Sequence, residues 1–105
     1  MKKINVGIIG GAGYTGGELI RLLINHPNTD IRFIHSKSNA GNLVSKVHQD
    51  LLGDTELKFT DDNTPLGDGG IDVLFLCLGH GDSKKFLSEN NIASTIKIID
   101  LACSK

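Results

Sequence analysis

The chain of 105 residues is long enough for one compact domain with a modest buried core, and hardly long enough for two. Its 39% hydrophobic and 22% charged content is ordinary for a soluble globular protein. Eleven basic against twelve acidic side chains give a formal net charge of -1 without a basic run, which argues against nucleic acid as a partner.

Targeting signals and cysteine usage both favour a cytoplasmic protein. The start of the chain, Met1 to Val6, has two lysines and then only a short apolar run broken by Asn5 and glycines. This run is too short and too interrupted for a signal peptide or a membrane span, and we expect no association with a membrane. Cys77 and Cys103 lie in or beside apolar runs without metal-ligand spacing. We therefore interpret them as reduced thiols rather than as a disulfide or metal ligands.

The first elements read as a strand and then a helix. Lys3 to Ile9 predicts a strand buried on both faces, because it is rich in β-branched residues and apolar towards its end. Tyr14 to His26 predicts a helix, with Leu19, Leu22 and Leu23 recurring on its inner side.

The second strand and the segment after it are less regular. Asp30 to Ser36 predicts a strand with Ile31, Phe33 and His35 on one face and Ile34 on the other. Asn39 to Leu52 predicts one or two short helical turns. Leu57 to Thr60 predicts a short extra strand, and Asp61 to Gly70 predicts a turn-rich loop.

The last third resumes the alternation of strand and helix. Ile71 to Leu78 predicts the most apolar strand, Gly81 to Asn91 a helix with Phe86 and Leu87 inward, and Ile96 to Leu101 a further strand. This order predicts an α/β fold, a Rossmann-type parallel sheet flanked by helices, within one nucleotide-binding domain that spans residues 1–105.

The glycine loop after the first strand can be read in two registers. Gly11, Gly13 and Gly16 spell G-x-G-x-x-G, whereas Gly10, Gly13 and Gly16 spell G-x-x-G-x-x-G. Glycine there allows a sharp turn, close approach of a pyrophosphate and tight helix packing, while the helix amino end faces the phosphates. The loop therefore predicts a dinucleotide site rather than a turn that only packs the helix.

The end of the second strand indicates which dinucleotide is bound. An NAD site usually carries Asp or Glu there, but this strand runs into Ser36-Lys37-Ser38 without an acid. A lysine and two hydroxyls suit a 2′-phosphate, so we prefer NADP(H) over NAD. The alternative is a polar loop with Lys37 in water.

Leu78-Gly79-His80 ends another strand and is expected near the nicotinamide, with His80 as a loop residue rather than a general base.

Several motifs resemble one enzyme family. Gly10 to Leu19 resembles the G-A-S-G-Y-T-G-A-E-L signature of N-acetyl-γ-glutamyl-phosphate reductase, in the aspartate-semialdehyde dehydrogenase superfamily. Ser36 to Gly41 resembles its S-R-S-x-A-G, and Val47-His48 with Leu52-Gly53 resembles its H-P-x-L-x-G. Phe75 to Gly81 resembles its F-L-A-L-P-H-G, and Ile99 to Leu101 resembles the start of its I-D-L-S-x-D-F-R. The family has alanine where this chain has Gly11, which favours the register that starts at Gly10.

The resemblance implies an NADPH enzyme that reduces an acyl phosphate to a semialdehyde, with N-acetyl-γ-glutamyl phosphate as substrate in arginine biosynthesis. Its catalytic cysteine sits in an N-P-G-C context that this chain lacks, so no catalytic residue and no metal ligand is assigned. We expect the chain to be the cofactor part of a homo-oligomeric enzyme, without its substrate domain and inactive alone. The alternative is a stand-alone nucleotide-binding or sensor module.

The residues expected to contact the cofactor are Gly10, Gly11, Ala12, Gly13, Tyr14, Thr15, Gly16, Ser36, Lys37, Ser38, Leu78, Gly79 and His80.

Overall fold

The chain folds around one parallel β-sheet with helices on both faces. A computed structural model describes residues 4–10, 14–36, 39–48, 57–61, 71–78, 82–89 and 92–101. The elements in chain order are β1 (Ile4–Ile9), α1 (Tyr14–Ile24), β2 (Thr29–His35), α2 (Val44–Val47), β3 (Phe59–Thr60), β4 (Val73–Leu76), α3 (Asp82–Glu89) and β5 (Lys97–Asp100). The strand order is β3-β2-β1-β4-β5 with every neighbouring pair parallel, which confirms the predicted Rossmann-type fold.

The strand β1 lies at the centre of the sheet, and the two faces of the sheet carry separate cores. The core on the α1 side consists of Val6, Ile8, Ile20, Ile34, Val44 and Phe59. The core on the α3 side consists of Ile9, Phe33, Ile71, Leu74, Leu76 and Ile96. Because β1 contributes to both cores, it is anchored from both faces, as predicted, and its carboxyl end is a fixed point beside which a site can form.

An apolar stripe holds α1 against the sheet. Ile20 is fully buried, and Leu19, Leu23 and Ile24 pack against the same core. Leu22 is 63% exposed, so the prediction that it faces the core was wrong. Leu22 comes two residues after Ile20, so its side chain lies about 200° around the helix from that of Ile20.

The helix α1 ends at Ile24, earlier than the predicted His26. The His26 amide at 3.1 Å and the Thr29 hydroxyl at 3.0 Å both donate to the carbonyl of Leu23. These two donors satisfy a carbonyl at the helix end, where no further helical amide follows. His26 is exposed and takes no part in the core.

The strand β2 contains a bulge that changes which side chains share a face. The adjacent residues Val6 and Gly7 of β1 pair with Ile31 and Phe33, so Arg32 is an extra residue in β2. Ile31 therefore packs on the α1 side, whereas Phe33 enters the core on the α3 side. The predicted grouping of Ile31 with Phe33 on one face was wrong for this reason.

Between β2 and β3 the described chain makes one helical turn, α2, as predicted. The amide of Val44 donates to the carbonyl of Leu57 at 2.9 Å, and Leu43 forms an antiparallel bridge with Lys58. Val44 is buried, whereas Leu43 is exposed. These contacts place the turn against β3, the predicted short extra strand.

The strands β4 and β5 complete the sheet and are shorter than predicted. Leu74 and Leu76 of β4 are fully buried, whereas Ile98 of β5 is exposed. On α3, Phe86 packs against the core, but Leu87 is partly exposed, so its predicted inward position was wrong. No helix among the described residues is long and apolar enough to span a membrane.

Candidate functional site

Backbone hydrogen bonds join the carboxyl ends of the three central strands. The amide of Gly10 donates to the carbonyl of His35 at 3.0 Å, which ties β1 to β2. The amide of Cys77 donates to the carbonyl of Ile9 at 2.8 Å, which ties β4 to β1. The chain leaves β1 towards β2 on one side and later reaches β4 on the other, so the strand order reverses beside β1. In open α/β sheets, ligands bind at such a reversal, outside the carboxyl ends of the strands.

Gly10 lies at this reversal and needs to be glycine. Its φ of 81° is in the left-handed region. A Cβ there would lie 2.9 Å from Leu78 Cδ2 and 3.0 Å from the carbonyl oxygen of Cys77. A side chain would therefore be strained by the backbone and would collide with the end of β4. This favours the register that starts at Gly10 over the register that starts at Gly11.

The amino end of α1 follows Gly10 closely. The helix begins at Tyr14, and its first turn contains no acidic residue. The first carboxylate of the helix belongs to Glu18, and it accepts a hydrogen bond from Arg21 at 2.7 Å. The first-turn amides and the positive dipole end of α1 thus meet no carboxylate from the helix's own first turn. This arrangement suits a bound phosphate.

Ser36 directly follows β2 and is bonded to two residues, Thr60 and Asn39. It is only 6% exposed, and its amide donates to the carbonyl of Thr60 at 2.9 Å. Its carbonyl accepts from the amide of Asn39 at 3.3 Å, and its Oγ accepts from Asn39 Nδ2 at 3.4 Å. The backbone of Ser36 is therefore held by Thr60 and Asn39, and its hydroxyl is held by Asn39.

The strand β3 braces the segment after β2 at two points. Ser36 is bound to Thr60, and the amide of Gly41 donates to the carbonyl of Phe59 at 2.8 Å. The amide of Phe59 donates in return to the carbonyl of Asn42 at 2.9 Å. Gly41 has a φ of 89°, which lets the chain reverse and run antiparallel beside β3.

The thiol of Cys77 lies near this edge but is not activated. Burial, and to a smaller extent the nearby carboxylate of Asp100, raise its pKa to about 11. Cys77 forms no disulfide and packs against the core on the α1 side. A thiol with this pKa stays protonated near neutral pH, and the free thiol of Cys77 agrees with its interpretation as a reduced cysteine.

The structure brings several predicted site residues to the carboxyl edge of the sheet. Gly10, Ser36 and Leu78 end or follow three neighbouring strands. Thr15 is exposed and Gly16 buried in the first turn of α1, which Tyr14 begins. The other predicted residues lie outside the described part of the chain, namely Gly11, Ala12, Gly13, Lys37, Ser38, Gly79 and His80.

Two residues that shape this edge were not among the predicted site residues. Asn39 bonds both the carbonyl and the hydroxyl of Ser36, and Gly41 turns the chain back onto β3. The available signal was the presence of asparagine and glycine after a strand, which is typical of a turn. The sequence pattern did not indicate which groups the asparagine side chain would contact.

Comparison with known proteins places the chain in a family. Residues 5–104 match the family model described as semialdehyde dehydrogenase, NAD binding domain. The chain belongs to this family.

Curated relatives of this semialdehyde dehydrogenase domain are oxidoreductases named N-acetyl-gamma-glutamyl-phosphate reductase. The relative from Phocaeicola vulgatus is 61% identical over 99 residues, and the relative from Bacteroides fragilis is 62% identical over 99 residues. Each match covers 94% of this chain and 30% of the relative. The chain therefore spans about 30% of the length of the curated relatives it matches.

A solved structure supports the fold. Aspartate semialdehyde dehydrogenase from Candida albicans, crystallised with NADP, matches the semialdehyde dehydrogenase domain with a TM-score of 0.71. The match covers 96% of this chain and 30% of that chain at 18% sequence identity. At this identity the likeness shows a shared fold.

Proposed function

We propose that this semialdehyde dehydrogenase domain is the NADP(H)-binding amino-terminal part of an N-acetyl-γ-glutamyl-phosphate reductase. Such an enzyme reduces N-acetyl-γ-glutamyl phosphate to N-acetylglutamate semialdehyde, a step of arginine biosynthesis. The observation that carries the proposal is the 61% identity with a curated reductase over 94% of the chain. This identity supports a reductase domain over a stand-alone nucleotide-binding or sensor module.

The described residues fit the phosphates of a dinucleotide. At Gly10 the backbone turns where a Cβ would be blocked by Leu78 and Cys77, and the first turn of α1 carries no acid. The amides of that turn would hold the pyrophosphate, and the Gly10 turn would let it approach the backbone closely. When bound, the nicotinamide would supply hydride to the substrate of the parent enzyme. Gly13, Gly79 and His80 remain predicted contacts.

The residues after β2 support a preference for NADP(H) over NAD. From Ser36 to Asn42 the chain contains no aspartate or glutamate that would accept a bond from the ribose 2′-hydroxyl. Ser36 is held at the edge of the sheet by Thr60 and Asn39. We propose that its hydroxyl, together with the predicted contacts Lys37 and Ser38, binds the 2′-phosphate.

The chemistry of the parent enzyme is assigned to residues outside this chain. The N-P-G-C context of the family's catalytic cysteine does not occur in the sequence, and the pKa of Cys77 is raised to about 11. We therefore propose that these 105 residues bind the cofactor without reducing a substrate. The substrate site and the contacts of a cytoplasmic homo-oligomer belong, in this proposal, to the full-length enzyme.

Calorimetric titration of the chain with NADPH and with NADH tests the proposal. We expect NADPH to bind at least about tenfold more tightly, the effect of one charge-assisted hydrogen bond to the 2′-phosphate. Equal affinities would overturn the assignment of Ser36, Lys37 and Ser38. Absence of binding by either nucleotide would overturn the cofactor proposal for this chain.

A further inference from the structure

Asn39 makes two hydrogen bonds to one residue at the end of β2. Its amide donates to the Ser36 carbonyl at 3.3 Å, and its side-chain Nδ2 donates to Ser36 Oγ at 3.4 Å. We propose that Asn39 is a positioning residue that sets the cofactor preference, by holding the Ser36 hydroxyl as a donor towards a 2′-phosphate. This inference rests on the proposed function of the site.

The direction of these bonds determines what the hydroxyl offers to a ligand. A serine hydroxyl has one proton to donate and two lone pairs that accept. Because Nδ2 of Asn39 donates to Oγ, it occupies a lone pair and cannot receive the hydroxyl proton. The proton of Ser36 is thereby left for another acceptor. Phosphate oxygens only accept, so they match this state of the hydroxyl, whereas a ribose 2′-hydroxyl can both donate and accept.

The surroundings of Ser36 keep this arrangement in place before a ligand binds. Ser36 is 6% exposed, and its amide is bound to Thr60 on β3. Asn39 is itself bound from the other side, because its carbonyl accepts from the amide of Asn42 at 3.0 Å. A donor that is already oriented loses little conformational entropy on binding, so it adds more to affinity than a free side chain does.

Substitution of the side-chain donor by an acceptor of the same shape is the sharpest test. In Asn39→Asp the new carboxylate accepts the Ser36 hydroxyl proton and repels a 2′-phosphate, and it offers an acceptor to a 2′-hydroxyl. We expect the affinity for NADPH to fall at least about tenfold while the affinity for NADH is unchanged or rises. The readout is the ratio of the NADH to the NADPH dissociation constant, measured by calorimetry at one fixed salt concentration.

Two further variants separate positioning from charge and from folding. Asn28→Asp adds the same charge in the exposed turn before β2, at the opposite edge of the sheet, and should leave the ratio unchanged. Asn39→Ala removes the donor without adding a charge, and we expect the ratio to fall about threefold to tenfold. If Asn39→Asp does not fold, the ratio measured for Asn39→Ala tests the role of Asn39 instead.

Smaller probes locate the effect on the adenosine half of the cofactor. Adenosine 2′,5′-bisphosphate carries the 2′-phosphate and AMP does not, so Asn39→Asp should weaken the first and spare the second. A merely structural role would weaken both probes equally, and that result would overturn the inference. So would an unchanged ratio of dissociation constants in a variant that still binds. If the unsubstituted chain binds neither dinucleotide, the proposed function itself fails and the inference fails with it.

Discussion

The imidazole of His48 occupies the space that Gly17 leaves open on α1. A Cβ at Gly17 would lie 2.5 Å from His48 Nδ1 and 2.6 Å from Cε1. The same ring meets Phe59 of β3 edge-on, with ring centroids 6.3 Å apart. The contact therefore connects the first turn of α1, where we propose that the cofactor phosphates bind, with the strand that braces the segment after β2.

Gly17→Ala should reveal this contact through the sign of its effect on stability. Alanine is favoured over glycine inside a helix by about 1 kcal/mol, so the free energy of unfolding would normally rise. Here the methyl group displaces His48, and we expect the free energy of unfolding to fall by about 1–2 kcal/mol. In a His48→Ala background the same substitution should stabilise the chain by about 0.5–1 kcal/mol.

Urea denaturation of the four proteins in this cycle measures the coupling between the two positions. Effects that add, with the same sign for Gly17→Ala in both backgrounds, would contradict the packing of His48 against α1. The m-value reports whether all four proteins unfold from comparably compact native states.

Among the described residues, two glycines have a positive φ, and they should respond differently to alanine. Gly41, with a φ of 89°, has no atom within 4 Å of an added Cβ, so Gly41→Ala costs only backbone strain, about 1–2 kcal/mol. Gly10, with a φ of 81°, carries the same strain and a collision with Leu78 and Cys77. We expect Gly10→Ala to lower the free energy of unfolding by at least about 1 kcal/mol more than Gly41→Ala does.

Thermal or urea denaturation of both variants side by side checks this order. Equal losses in the free energy of unfolding would show that the end of β4 moves to accommodate a Cβ at Gly10. The register of glycines that starts at Gly10 would then lose its support. Nucleotide titration of Gly10→Ala, where it still folds, should show weaker binding of NADPH and NADH alike, because both share the pyrophosphate.

The parts of the fold that the sequence predicted correctly depend on local patterns. A buried strand, a glycine and an amphipathic helix follow one another within residues 4–24, so β1, Gly10 and α1 could be placed from the sequence. The bulge at Arg32 could not, because it depends on pairing between strands. Phe33 lies over Gly7, where an added Cβ would come within 2.6 Å of its Cζ, and no local pattern indicates that approach.

The same distinction applies to the candidate site. Ser36 remains a predicted site residue, and the basis of the prediction is that it follows a strand and no acid accompanies it. Its bond to Thr60 could not be predicted, because it depends on β3 lying beside β2. The side-chain contact with Asn39 was missed because turn composition predicts that a chain reverses, and it does not predict the direction of a side-chain hydrogen bond.

The pKa of Cys77 predicts a specific loss of stability in alkali. The thiol has an ordinary pKa of 9.0, and in the folded chain burial and the carboxylate of Asp100 raise it to about 11. Between these values the unfolded chain has released a proton that the folded chain keeps, so stability falls as the pH rises from about 9 to 11. Below pH 9 both states are protonated and this contribution to stability is fully present. For a thiol that is partly exposed, we expect a loss of about 1 kcal/mol after allowance for solvent screening.

Comparison with Cys77→Ala isolates this effect from other pH-dependent contributions to stability. Alanine occupies this position in the family signature that the chain resembles, and removal of the sulfur should cost about 1 kcal/mol at pH 8. Urea denaturation of both proteins at pH 8 and pH 10.5 should show a smaller loss for Cys77→Ala, because its folded state holds no extra proton at this site. Asp100→Asn should lose an amount of stability between those of the unsubstituted chain and Cys77→Ala. It removes the smaller cause of the raised pKa of Cys77 and leaves the burial of the thiol in place. If all three proteins lose the same stability between the two pH values, the thiol of Cys77 titrates in the folded chain as it does in the unfolded one.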